Sequence, residues 1–314
     1  MRQVDGVRDR IPSAKPTAAL RPSALARVPT ALLFVAVASF WALNTVAMRV
    51  AGRTVPPITV AAARALIGGL VLTLLARRRG AAFPTKRSQW FQIAAIAFPM
   101  TGLSTVFLFL AARNIPAGLV SILSNTMPLF VAVMATVVLG ERVTSRIALG
   151  LGVGMMGAVI VAWRAVEGQV RGIGILYGVL AAVTSATGSV MYKRFPLPGV
   201  DRLMAVAMQL LMSCALVAVI AIPDDRSDMS YPQTFVISFV YLSLFGLALS
   251  FVCFSELVSR GTGMQASAVS YLSTVLGVCF GALLLHERLS WSVLVGGAIA
   301  ICGVALVQFG NNRP

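Results

Sequence analysis

Ionisable side chains are scarce in this chain, and acidic ones are the scarcest. Charged residues make up 11% of the sequence, whereas a soluble domain contains roughly 25%. Ten Asp and Glu accompany 26 Lys and Arg, and 58% of the residues are hydrophobic. Such a composition is typical of a protein in a lipid bilayer. The basic residues lie between apolar segments rather than along one stripe with interleaved aromatic residues, which argues against nucleic-acid binding.

Side chains that build metal sites, disulfides or catalytic centres are equally few. The chain has one histidine, His286, and its four cysteines each lie alone in an apolar segment without a CxxC motif. Such cysteines are small hydrophobic residues for helix packing. The sequence also lacks a Gly-rich phosphate loop, a GxSxG elbow and a pair of neighbouring catalytic carboxylates. We therefore predict no enzyme activity, no metal and no cofactor.

The apolar residues form runs long enough to cross a bilayer. Residues 1–28 are basic and contain no apolar run, so we expect a disordered tail. The first span covers about 22 residues from Val28, which is long enough to cross the hydrocarbon core. Nine more spans are predicted near residues 57–76, 90–112, 116–139, 145–163, 172–192, 203–222, 234–257, 264–285 and 290–308. The expected class is an all-α integral membrane protein with ten transmembrane helices.

Basic residues in the loops set the expected orientation. The N-terminal tail and the loops on its side of the membrane hold most of the Lys and Arg, including the three arginines at 77–79. Loops rich in Lys and Arg stay in the cytoplasm. We therefore expect both termini to be cytoplasmic.

Two segments of the chain repeat each other at a distance of 146 residues. Residues 140–157 read GERVTSRIALGLGVGMMG, and residues 286–303 read HERLSWSVLVGGAIAICG. Five predicted spans separate the two Glu-Arg pairs, and an odd number of crossings inverts the second copy. The sequence thus predicts two inverted five-helix repeats, over residues 29–165 and 171–308. Secondary transporters use this architecture, with the substrate site near the midplane between the repeats.

Longer stretches of both halves carry a family resemblance. The first half has WALNTVAMRV at 41–50, PITVAAARALIGGL at 57–70 and PAGLVSILSNTMPLFVAVMATVVLGERVT at 116–144. The second half has GLALSFVCFSELVSR at 246–260 and GMQASAVSYLSTVLGVCFGALLLHERLS at 263–290. These stretches resemble the EamA family of the drug/metabolite transporter superfamily, and the resemblance implies export of amino acids or related metabolites across the bacterial inner membrane through a central cavity. One departure is Ser273-Thr274, where the family has an acidic residue or Gln followed by Pro.

Arg64 is the predicted cation at membrane depth. It lies seven residues past Pro57, about 10 Å into the second span at 1.5 Å per residue. Such a cation either packs or snorkels toward the interface, or it binds the carboxylate of a substrate.

Amides and a proline mark the first and fourth spans. Asn44 and Asn125 suit an amino-acid headgroup and, equally, a bond between helices. Pro128 removes a backbone donor and favours a helix kink. We expect a site at this kink, lined by Ser121, Ser124 and Asn125, unless these groups only hold helices together.

Hydroxyl groups supply the candidates of the second half. They are Ser185, Ser189 and Tyr192 on the sixth span, and Ser270 and Tyr271 on the ninth. Ser185, Ser189 and Tyr192 share one helix face at i, i+4 and i+7, and Tyr271 lies one residue around the helix from Ser270. Such hydroxyl groups serve helix packing or line a cavity. Trp41, Phe107 and Tyr271 would give such a cavity an aromatic or apolar character.

Proton coupling has only two candidates. Glu256 lies about one turn from the end of span eight, where Arg260 at i+4 is an ion-pair partner. His286 at the predicted outer mouth titrates near physiological pH, or is simply a solvated loop residue.

Small residues recur on spans five and ten. They are Gly150, Gly154 and Gly157 in the first copy, and Gly296, Ala300 and Gly303 in the second. These spans should pack closely against their neighbours or each other, or form the seam of a homodimer.

Three functions remain open on the sequence alone. The first is an exporter of a small-molecule substrate such as an amino acid. The second is an antiporter of nucleotide sugars or phosphorylated metabolites, which calls for two or more cations in the cavity. The third is a membrane receptor or structural subunit that transports nothing.

Overall fold

The chain folds into a bundle of membrane-length helices. A computed structural model describes residues 25, 27–52, 54–115, 117–162, 171–195, 197–221, 230–285 and 291–309. Regular structure in these residues is helical throughout. Most of the expected N-terminal tail and His286 lie outside the described residues.

The first half contains seven α-helices. They are α1 (Thr30–Ala51), α2 (Pro57–Arg78), α3 (Arg87–Ala97), α4 (Ser104–Ala112), α5 (Ala117–Ser124), α6 (Met127–Leu139) and α7 (Ser145–Ala162). A π-helical turn, Phe98–Leu103, joins α3 to α4 without a break. The stretch from Arg87 to Ala112 is therefore one continuous span.

The second half also contains seven α-helices. They are α8 (Gly172–Arg194), α9 (Arg202–Ala221), α10 (Gln233–Ser243), α11 (Ser250–Arg260), α12 (Gly263–Ser267), α13 (Val269–Leu285) and α14 (Trp291–Phe309). The π-helical turn Leu244–Leu249 joins α10 to α11.

Eight helical stretches in the described residues are long and apolar enough to cross a membrane, and two apolar helices, Ser145–Ile160 and Val295–Val307, are shorter. The chain is a multi-pass membrane protein, as the sequence predicts.

Contacts between helix ends define the two faces of the bundle. Arg260, at the end of α11, donates hydrogen bonds to the carbonyls of Leu25 and Val28 just before α1. We call this the N-terminal face. At the opposite face, the Ser230 amide donates to the Thr54 carbonyl at 3.4 Å.

Helices α7 and α14 cross in direct backbone contact. A Cβ atom at Gly303 would lie 2.2 Å from the Gly154 nitrogen, and one at Gly157 would lie 2.3 Å from the Ala300 nitrogen. Only glycine allows this approach. The prediction that spans five and ten pack closely through their small residues is confirmed, and their partners are each other.

The two π-helical turns occupy corresponding places in the halves. The Ser104 amide donates to the Pro99 carbonyl, and the Ser250 amide donates to the Phe245 carbonyl, five residues back in each case. Ser104 and Ser250 are 146 positions apart, the same spacing as the Glu-Arg pairs. Turns of this kind occur frequently at functional sites.

Candidate functional site

A partly buried polar pair joins the first two helices. Arg64 of α2 donates a hydrogen bond from Nη1 to Oδ1 of Asn44 on α1, at 3.0 Å. Gly246 in the second π-helical turn makes room for this amide, because a Cβ there would lie 2.7 Å from Oδ1. Among the described residues, Arg64 Nε has no hydrogen-bond partner although it is buried.

Two hydroxyls meet beside this pair. Thr101 of the first π-helical turn and Ser213 of α9 hydrogen-bond to each other. Both also reach the Ala97 carbonyl, at 3.0 Å and 3.1 Å. The two hydroxyls thus connect a helix of the first half to a helix of the second.

A small cavity lies between these groups. Its polar lining residues are Arg64, Thr101, Thr105 and Ser213, and Leu247 is one of its apolar lining residues. Thr101 and Leu247 are 146 positions apart, so the two π-helical turns contribute corresponding residues to one cavity. One of these corresponding residues is polar and the other is apolar.

An aromatic cluster lies toward the N-terminal face. The Trp41 ring centroid is 5.2 Å from that of Phe254, which in turn is 6.2 Å from that of Tyr192. The Tyr192 hydroxyl hydrogen-bonds to Oε1 of Gln209, a residue only 2% exposed. The Nε2 group of Gln209 has no partner among the described residues.

The fourth span is interrupted where Pro128 was expected to act. Helix α5 ends at Ser124 and α6 begins at Met127. Asn125 lies in the gap, donates to the Ser121 carbonyl at 2.8 Å and accepts from Thr274 at 3.0 Å. The Ser124 hydroxyl donates to Val120 of its own helix. The bond between Asn125 and Thr274 holds the fourth and ninth spans together.

Other candidate residues lie apart from the cavity. Ser185 contacts the Met127 sulfur at 3.4 Å, and Ser270 donates to the Ser267 carbonyl. Tyr271 is fully buried against Gly154 and donates to the Leu151 carbonyl at 3.3 Å. Phe107 stacks on Tyr177 with 6.2 Å between ring centroids. Ser189 is fully buried, and its hydroxyl has no partner in the described part of the chain.

Ion pairs close the N-terminal face. Glu256 pairs with Arg260 at 2.8 Å, as the i+4 spacing predicts, and with Arg202 at 2.7 Å. Glu141, after α6, pairs with Lys193 at the end of α8, at 2.9 Å. The same carboxylate accepts a hydrogen bond from the Gly263 amide at 3.0 Å, and Lys193 donates to the Gly261 carbonyl at 2.6 Å. The contacts of Glu141 connect the two halves.

Sequence reasoning identified Arg64 but missed three residues that surround or approach the cavity. Thr101, Ser213 and Gln209 lie in apolar spans, where hydroxyl groups are common and draw little attention. Gln209 carried a usable signal, because an amide deep in a span is costly unless it binds something. Thr101 could be found only once the π-helical turn had been seen.

Comparisons with known proteins agree with this architecture. The chain is 27% identical to the uncharacterized transporter YvbV of Bacillus subtilis, over 90% of this chain and 93% of that protein. It is 24% identical to a probable amino-acid metabolite efflux pump of Escherichia coli, over 89% and 94% of the two chains. A solved crystal structure matches with a TM-score of 0.78 at 21% identity, covering 90% of this chain and 98% of the other, and so shares the fold.

A family profile matches the chain twice, once in each half. A profile described as the EamA-like transporter family fits residues 28–163 and again residues 172–309. The two matches together span nearly all of the chain after its tail. The chain therefore belongs to the EamA-like transporter family.

Proposed function

We propose that the chain is a secondary transporter that exports amino acids or related small metabolites across a bacterial inner membrane. The observation that carries the proposal is the cavity between the helices with Arg64 on its wall, because a charged group within a span is costly unless it serves packing or a ligand. Relatives named as probable amino-acid metabolite efflux pumps, from Escherichia coli and Salmonella typhimurium, favour the same function.

Transport proceeds by alternating access between two inverted five-helix repeats, residues 29–165 and 171–308, with ten spans in all. Support comes from the doubled family match and from the matching positions of the π-helical turns. Both termini are cytoplasmic. The small faces of α7 and α14 bury each other, so a homodimer would use a different surface.

The substrate path runs between the halves. Its proposed lining keeps the residues expected from the sequence: Trp41, Asn44, Arg64, Phe107, Ser121, Ser124, Asn125, Ser185, Ser189, Tyr192, Ser270 and Tyr271, with Pro128 at the kink. Several of these side chains now hydrogen-bond to their own helix or to a neighbouring helix. They would have to release these hydrogen bonds as the halves move. Glu256 and His286 remain the candidates for proton coupling.

The described residues do not favour an antiporter of phosphorylated metabolites. Arg64 is the cation on the wall of the described cavity, and a phosphate dianion calls for more than one.

An export assay tests the proposal. Cells that express the protein are loaded with a panel of apolar and aromatic amino acids, and the external concentration of each is followed over time. We expect faster appearance of at least one amino acid than from cells with an empty vector. Equal rates for the whole panel would show that the protein does not perform this function.

A further inference from the structure

We infer that Arg64, Thr101, Thr105 and Ser213 form a subsite for a single carboxylate, so that the exported substrates are monocarboxylates. This inference rests on the proposed export function and specifies the substrate class. Residues of both halves contribute to the subsite, and Thr101, Thr105 and Ser213 were not among the residues expected from the sequence.

The free edge of Arg64 indicates the shape of the ligand. Nη1 is already used by Asn44, and Nε is buried without a partner in the described residues. A guanidinium binds a carboxylate through two parallel N–H groups, and its side edge presents Nε together with Nη2. Asn44 therefore holds the guanidinium by Nη1 and leaves Nε for a ligand.

The charges around Arg64 also indicate a ligand with a single negative charge. No Asp or Glu of the described residues forms an ion pair with Arg64, and Asn44 is neutral. A buried cation without a counter-charge is expensive, so an anion would relieve this cost. One cation balances one carboxylate, whereas a phosphate dianion would remain half compensated.

The two hydroxyls have more acceptors within reach than protons to donate. Thr101 and Ser213 both reach the Ala97 carbonyl and each other, and Ser213 also reaches the Gln209 carbonyl at 2.8 Å. Each hydroxyl has one proton, so these contacts are alternatives to one another. A hydroxyl rotates to suit its partner, so one of the two can donate to a bound carboxylate.

Apolar residues share the cavity lining with the polar groups. Leu210 and Val217 lie on the same face of α9 as Ser213, and Leu247 lines the cavity from the second π-helical turn. The cavity has room for about one water molecule, so the halves have to move apart to admit a carboxylate to Arg64.

The test compares acids with their decarboxylated amines. Export of each amino acid in the panel is measured against that of the corresponding amine, for example phenylalanine against 2-phenylethylamine, in cells expressing wild type or variants. We expect wild type to export the acid at least about tenfold faster than the amine, the effect of losing charge-assisted hydrogen bonds.

Arg64→Gln should lose most acid export, and Arg64→Lys should keep part of it. Thr101→Ala and Ser213→Ala should weaken acid export by a few-fold.

Two control variants match these changes. Arg113→Gln removes a cation at the end of α4 that lies over the Phe109 ring, outside the cavity. Thr73→Ala removes a hydroxyl of α2 that bonds only the Gly69 carbonyl in the structure, as Thr101 bonds Ala97. Both should export like wild type. The amount of each variant in the membrane is measured, and export is expressed per molecule.

The outcomes separate the subsite from the function. If wild type exports amines as fast as acids, or if Arg64→Gln and Arg64→Lys export acids normally, the subsite is wrong while export stands. If wild-type cells release no member of the panel faster than empty cells, the export function fails, and the subsite fails with it.

Discussion

At the scale of single residues, the position of Arg64 depends on a residue that has no side chain. Gly246 leaves the space that the Asn44 amide occupies, and Asn44 holds the guanidinium. Gly246→Val should push the amide away and misplace Arg64. We expect a loss of about 1–3 kcal/mol of stability from overpacking, together with slower export. Thermal unfolding of the purified protein and the export assay measure the two effects.

The control for this change is a glycine with open space around it. A Cβ at Gly172 meets nothing within 4 Å, so Gly172→Ala should leave unfolding and export unchanged. Normal export by Gly246→Val would mean that the contact between Asn44 and Arg64 is unimportant for transport.

At the scale of elements, the crossing of α7 and α14 tolerates no side chain at its centre. A Cβ at Gly303 would meet backbone atoms of Gly154, which cannot rotate away as a side chain can. Gly303→Ala should therefore separate the two helices and sharply reduce the amount of folded protein in the membrane. Gly152→Ala, on α7 but facing open space, is the matched control. Quantitative blotting and detergent size-exclusion chromatography compare the two.

Most elements could be predicted from hydropathy, and the exceptions have physical causes. The spans from 57 and 172 begin where expected, because proline and loop charges mark them. The π-helical turns that begin at residues 98 and 244 were not predicted. A hydropathy window averages side-chain polarity, so it does not distinguish a backbone hydrogen bond to the fourth residue back from one to the fifth. The interruption of the ninth span at Ala268, without a proline, was also missed.

The candidate site was harder to predict than the fold. Arg64 could be identified because a charge in a span is rare. Ser185, Ser270 and Tyr271 are polar residues of the same kind as Thr101 and Ser213, yet only the last two line the described cavity. Which hydroxyl faces a cavity depends on how the helices pack around their axes, and a single sequence does not contain that information.

At the scale of the whole molecule, one ion pair of the described residues joins the two halves at the N-terminal face. Glu141 of the first half bonds Lys193 and the Gly263 amide of the second. Glu141→Lys or Lys193→Glu should place like charges together, favour opening of this face, and slow export several-fold. The double exchange, Glu141→Lys with Lys193→Glu, should restore part of the rate because the attraction returns.

The control for the charge exchange is Arg194→Glu, next to Lys193 but exposed. It should change the rate little. If both single variants export as wild type does, the pair does not contribute to the transport cycle. If they fail and the double variant recovers nothing, the residues matter for a reason other than their mutual attraction.

The ion pairs at the N-terminal face are partly exposed to solvent. Lys193 and Arg202 keep about a third of their side chains in contact with solvent, at 32% and 31%. Dissolved salt weakens attraction between such partly exposed charges. The balance between closed and open forms should therefore shift with the ionic strength on that side of the membrane, so that an osmotically stressed cell would change how readily the protein opens.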